Sequence, residues 1–330
     1  MKERIIWIDY SKVILICLVV FAHSPFVPTY LDTFICGFHM PAFFIISGYL
    51  HKPSSNINSC IKRNIRRLII PALAFSFICY LLWLIKQFVF INNISANEIL
   101  LKPLLGLFLY DNNYANPMCG VIWFLVVLFV CFIVLDLIVK LYKTKGLLIS
   151  SLGCIVLVII QNSFNYKDFM YGFYFQRAII SFPYVAFGYF CHDKNILVKS
   201  TKKNHLILYG MILFVVYLFL VLINGRVGIY SCSFGKSVIL YYITSVVGSL
   251  ALFNLMAIRK TSNFLIKKIS SGTIVILCIH QVMIKIFVHI WNNPYFITVA
   301  IITICYPIIC FLNKYAPWIV GRTKIYKKAD

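Results

Sequence analysis

The chain has 330 residues, of which 62% are hydrophobic and 12% charged, with a mean hydropathy of +0.90. A water-soluble domain is about 45–50% apolar and about 25% charged, so this composition excludes a cytosolic enzyme, a secreted disulfide-stapled domain and a disordered chain. The formal net charge of +22, from 31 basic and nine acidic residues, is the signature of cationic loops on the inner face of a membrane and implies no nucleic-acid partner.

Apolar runs of about 20 residues, without the alternation of an outer-membrane strand, predict an all-α integral membrane protein, a bundle of about ten transmembrane helices. In chain order the expected spans are 10–28, 33–51, 68–91, 119–141, 147–163, 176–192, 206–224, 236–258, 273–291 and 296–313. With an inside start, the loops divide the basic residues 24 to seven in strict alternation, which predicts both termini cytoplasmic. Trp7 and Trp318 fall at the expected inner interface, Trp123 and Trp291 near the outer one. A single transmembrane domain over 1–330 is expected, because the longest loop, near 92–118, is too short for a soluble domain. The basic start and first apolar run have the outline of a signal peptide, yet no small-x-small cleavage pattern follows, so the first span is expected to stay. The twelve cysteines make no CxxC or zinc-type CxxH spacing and most lie within apolar runs, so neither disulfide nor metal site is expected.

Ionisable residues inside spans are costly and mark function by default. The first span carries Asp9, Lys12 and His23. Eleven residues separate Lys12 from His23; at about 100° per residue this is three turns plus roughly 20°, which puts both on one face about 16 Å apart. Asp9, three residues before Lys12, is placed to pair with it. The alternative is that Lys12 snorkels to inner head groups while His23 satisfies a buried hydrogen bond. In the second span, Phe38-His39-Met40-Pro41 leads to Ser47-Gly48-Tyr49. Pro41 frees a backbone carbonyl and kinks the helix, and Ser47-Gly48 admits a close neighbour. His39 lies near the outer end, at a depth where His23 can meet it. In the next inner loop Arg63 and Arg66 share a helix face, and forked guanidinium groups suit phosphate, although inner loops hold arginines in any case. His51, His192 and His205 read as interfacial, His280 and His289 as core groups rather than catalysts, and the aromatic segment 164–175 as an interfacial belt or a surface for stacking a sugar ring.

The set Asp-x-x-Lys-x10-His, Phe-His-Met-Pro-x-Phe-Phe-x-x-Ser-Gly-Tyr and Arg-x-x-Arg, over about residues 4–71, resembles the membrane acyltransferase-3 family. The resemblance is strongest to the branch that includes fucose 4-O-acetylase-like proteins. Trp123-Phe124-Leu125 and Ile279-His280 are weaker echoes of it. Lys12 stands where much of the family has Arg, which keeps the charge and loses bidentate geometry.

The resemblance implies a ten- or eleven-span protein of the bacterial inner membrane that O-acylates cell-envelope carbohydrate, with acetyl-CoA or another acyl-CoA as co-substrate. It implies that Arg63 and Arg66, with Lys12, hold the donor, and that His23 is the catalytic base or acyl carrier. Asp9, His39, Ser47 and Trp123 would be supporting or acceptor-side groups, with Asp32 beside them. The expected partners are membrane lipid and a carbohydrate acceptor. A transporter or exporter of a small acylated or anionic solute is the competing reading, although the spans show no paired Gly/Pro-broken helices in matching halves. A non-catalytic scaffold gives the buried charges no purpose.

Overall fold

The computed structural model describes residues 4–54, 56–90, 120–164, 174–194, 197 and 202–322. The loop near 92–118, most of the aromatic segment 164–175, and the basic residues Lys2, Lys199, Lys324, Lys327 and Lys328 lie outside the described residues, wholly or in part. Among the described residues the fold is helical, with a lone backbone bridge between Gly228 and Ser233 in place of any sheet.

Each expected span contains helix among the described residues. The elements are α1 (Ile6–Ala22), α2 (Thr29–Cys36), α3 (His39–Leu50), α4 (Ile57–Asn64), α5 (Ile70–Phe90) and α6 (Trp123–Ser163). They continue with α7 (Phe175–Asp193), α8 (Lys203–Asn224), α9 (Val238–Ala257), α10 (Phe264–Ser271), α11 (Thr273–Phe287) and α12 (Pro294–Tyr315). Among the described residues six runs are long and apolar enough to cross a bilayer, and the bent pair α10–α11, counted as one span, makes a seventh. Asn56, Ser237, Asn263 and Asn293 cap α4, α9, α10 and α12 through side-chain oxygens, satisfying first-turn amides. Apolar side chains such as Phe219, Leu222 and Val299 face outward, which suits lipid and not water.

Four local breaks shape the bundle, and the first two have a covalent cause in proline. Pro41 cannot donate to the carbonyl of Gly37 and its ring crowds it, so the second span divides into α2 and α3. The freed Gly37 carbonyl accepts the Ser245 hydroxyl of α9 at 2.8 Å. Pro71 acts in the same way on the helix before it, where Ile65–Ile69 widens into a π-helical turn between α4 and α5. The third break is at Lys143, which holds φ 53° and ψ −152° in the middle of α6. Gly146 packs on the side chain of Ile138, whereas a continuous helix would set residues eight apart about 12 Å along its axis. The chain therefore doubles back at Lys143, so α6 supplies two of the expected spans. The fourth break, at Gly272, bends α10 from α11 by 74°.

Close packing places α1 at the centre, against α3, α9, α10, α11 and α12. The α3–α7 crossing is made by reciprocal glycines, Gly48 on the Val185 backbone and Gly188 on that of Ile45. Two tryptophans expected in interfacial belts sit elsewhere: Trp7 is buried against Tyr49 and Phe253, and Trp123 against Phe44 and Tyr230. Their rings fill volume between helices, while Trp318 and Trp291 are exposed.

Candidate active site

A cavity of about 840 Å³ runs between α1, α3, α6 and α11, within the range of small-molecule sites. Its mouth is cationic, lined by Arg4, Lys12, Lys52, Arg63 and Arg67. Its far end is apolar and reaches Met40, Phe124 and Leu277, within one turn of His39 and His280.

Asp9 lies in this wall but does not pair with Lys12 as expected. Its carboxylate meets the Arg4 guanidinium at 3.1 Å and accepts the Ser270 hydroxyl at 2.6 Å, while Arg4 also donates to the Lys267 carbonyl. The α10–α11 bend brings Ser270 and Lys267 to α1, so Asp9 is used as a tether between these helices. Among the described residues, no carboxylate lies within ion-pair distance of the Lys12 ammonium, which leaves a cation facing the cavity.

The arginine pair is also re-sorted. On a regular helix Arg66 and Arg67, three and four residues on, would both stay near the face of Arg63, but the π turn at Ile65–Ile69 takes more than four residues per turn, which rotates Arg66 away and keeps Arg67 in line. Arg67 then joins Arg63 at the cavity, and Arg66 does not line it. Ser47 lines the cavity with its hydroxyl bound to the Phe43 carbonyl at 2.7 Å. Trp123 lies outside the lining, behind Phe124.

Past the far end, three histidines from three helices share one device. Nδ1 of His23 lies 2.8 Å from the Val19 carbonyl, Nδ1 of His39 2.7 Å from that of Ile35, and Nδ1 of His280 3.1 Å from that of Ile276. A carbonyl oxygen only accepts, so in each neutral ring the proton is on Nδ1 and the Nε2 lone pair is available. The His23 and His280 rings stand edge to face at 4.9 Å. His280 is fully buried with no hydrogen-bond partner on Nε2 among the described residues, whereas His23 is exposed. The accessible imidazole thus rests on a buried one and presents an unprotonated nitrogen, which serves equally as proton acceptor or nucleophile. Asp32 is bound by Arg226 at 2.5 Å and by the Cys36 thiol at 3.3 Å. The described cysteines are all free thiols.

Three groups at the site were missed or misread from sequence. His280 was read as a core residue; it is buried, and it is also the neighbour of His23. His51 was read as interfacial, but it is buried with Nε2 2.5 Å from Asp136, its ring stacked on Phe132 at 4.2 Å. Asp136 was not singled out, although a lone carboxylate in the apolar run of the fourth expected span is the very signal that flags an intramembrane charge.

Residues 5–313 match a family model described as an acyltransferase domain, which together with the apolar helices makes this a multi-pass membrane acyltransferase. The chain belongs to the acyltransferase-3 family, as the motifs in its first three spans suggested. No curated protein and no solved structure matches it.

Proposed function

We propose that the protein transfers an acyl group, read here as acetyl, from cytoplasmic acyl-CoA to a hydroxyl of a cell-envelope polysaccharide or lipid-linked glycan, within the bacterial inner membrane and the fucose 4-O-acetylase-like branch of its family. The observation that carries this reading is one cavity with a cationic mouth and a far end within one turn of His39 and His280, the latter in ring contact with His23. Lys12, Arg63 and Arg67 hold the donor's phosphates there, with both termini on the same cytoplasmic side. The pantetheine arm follows the apolar wall toward His23.

In direct transfer, His23 Nε2 takes the acceptor hydroxyl's proton, the oxygen attacks the thioester carbon, the C–S bond breaks, and the thiolate takes the proton from the imidazolium. In the two-step route, Nε2 itself attacks the thioester carbon and the C–S bond breaks to release the thiolate; the acceptor oxygen then displaces the acyl group from the imidazole, and its proton passes to the thiolate. Both use the same tautomer. The test is loss of the gene followed by NMR of surface glycan for O-acetyl groups. His23→Ala, expressed at normal level, is expected not to restore them; full restoration overturns the assignment, as does solute flux in proteoliposomes without an acyl donor.

A further inference from the structure

The buried His51–Asp136 pair beside Arg63 has no part in the reaction above, although the His51 ring also borders the cavity. The Asp136 side chain is 1% exposed and that of His51 4%, while that of Arg63 is 25% exposed. One carboxylate oxygen meets His51 Nε2 at 2.5 Å. The other accepts the Ser54 amide at 3.1 Å and stands 3.7 Å from the Arg63 guanidinium. A guanidinium free to close on a carboxylate forms a forked pair at about 2.7–2.9 Å. Here both oxygens are already engaged, and the arginine is held in a loose ion pair at the cavity wall. His51 is fixed in turn by its stacking on Phe132 and by its place at the carboxy-terminal end of α3. The Cys60 thiol also hydrogen-bonds Asp136 and its sulfur stands 3.9 Å from Arg63, while Lys52 and Arg67, both cationic, line the same cavity.

We propose that His51 is a positioning residue for the acyl donor: by occupying the Asp136 carboxylate it keeps that group from closing on Arg63, and so leaves the guanidinium for the donor's phosphates. The inference rests on the reading of the cavity as the acyl-CoA site. It makes Asp136 a competitor for Arg63 that the imidazole restrains, and this fixes the sign of each substitution.

The test measures CoA binding to the purified full chain in nanodiscs, alongside donor KM and kcat. His51→Phe keeps the stacked ring and loses the N–H; it is expected to weaken CoA binding and raise donor KM about tenfold, the scale of one charge-assisted contact, with kcat and acceptor KM within about threefold. His51→Gln, which still donates to the carboxylate, is expected to stay within threefold of wild type. Asp136→Asn alone is expected not to weaken binding, and in the His51→Phe background it restores affinity to within threefold, a rescue that a merely structural role would not give. His51→Phe with unaltered affinity, or a double variant as weak as the single, overturns the inference and leaves the proposed function standing. Wild-type protein that does not bind CoA overturns both. Where His51→Phe does not yield folded protein, the contrast between His51→Leu and His51→Leu/Asp136→Asn carries the same expectation.

Discussion

The π turn before Pro71 sets apart two arginines that the sequence presents as equals. Arg67 lines the cavity and Arg66 does not. A hydrogen bond to a charged group contributes about 1.5–3 kcal/mol net, and at a mouth open to water and salt the lower figure applies. Arg67→Ala is then expected to weaken CoA binding about tenfold. A guanidinium directed away from the cavity, at roughly 10 Å in water, contributes about 0.4 kcal/mol before screening. Arg66→Ala is therefore expected to change affinity less than twofold. Isothermal titration of CoA into nanodisc-held protein at two ionic strengths separates the cases, and the Arg67 effect should shrink as salt rises. Equal losses at the two positions, or a loss at Arg66 alone, would refute the argument from the π turn.

Three further outcomes are expected. His280→Phe keeps a ring against His23 and removes the buried Nε2 lone pair; acyl transfer should fall about 10-fold or more, with donor affinity within threefold, measured by thiol release and CoA titration. Gly188→Ala would drive a methyl group into the Ile45 backbone; thermal unfolding should show a loss of about 1–3 kcal/mol or failure to fold. Lys143→Gly relieves a side chain held at φ 53° and ψ −152°, and about 1 kcal/mol of added stability is expected in the same assay.

The span order was legible because the signal for it is crude and repeated. Long apolar runs and an excess of charge on alternate loops survive errors of several residues at each end. The reversal at Lys143 was legible in the same way, since Lys140, Lys143 and Lys145 interrupt two apolar runs. What sequence spacing could not supply was the rotation of side chains after a break in helix geometry. The Arg-x-x-Arg spacing points to Arg66, but residues three and four apart share a helix face alike, and only the turn that Pro71 widens separates Arg66 from Arg67. Asp9 was paired with Lys12 because only neighbours on one helix can be counted from spacing, whereas Arg4 and Ser270 reach it through the fold and the α10–α11 bend. His51 and Asp136 lie 85 positions apart, and no local pattern joins them. His280 met His23 for the same reason, across most of the chain.

The imidazoles near the end of the cavity take their orientation from carbonyls of the fourth residue before them. In soluble hydrolases that task commonly falls to a carboxylate, which brings a charge with it. A main-chain acceptor is neutral, and no side-chain substitution removes it. Such a centre can sit among lipid-facing helices without burying an anion to steer its base, and it tolerates drift in its surroundings so long as the local coil of each helix is kept.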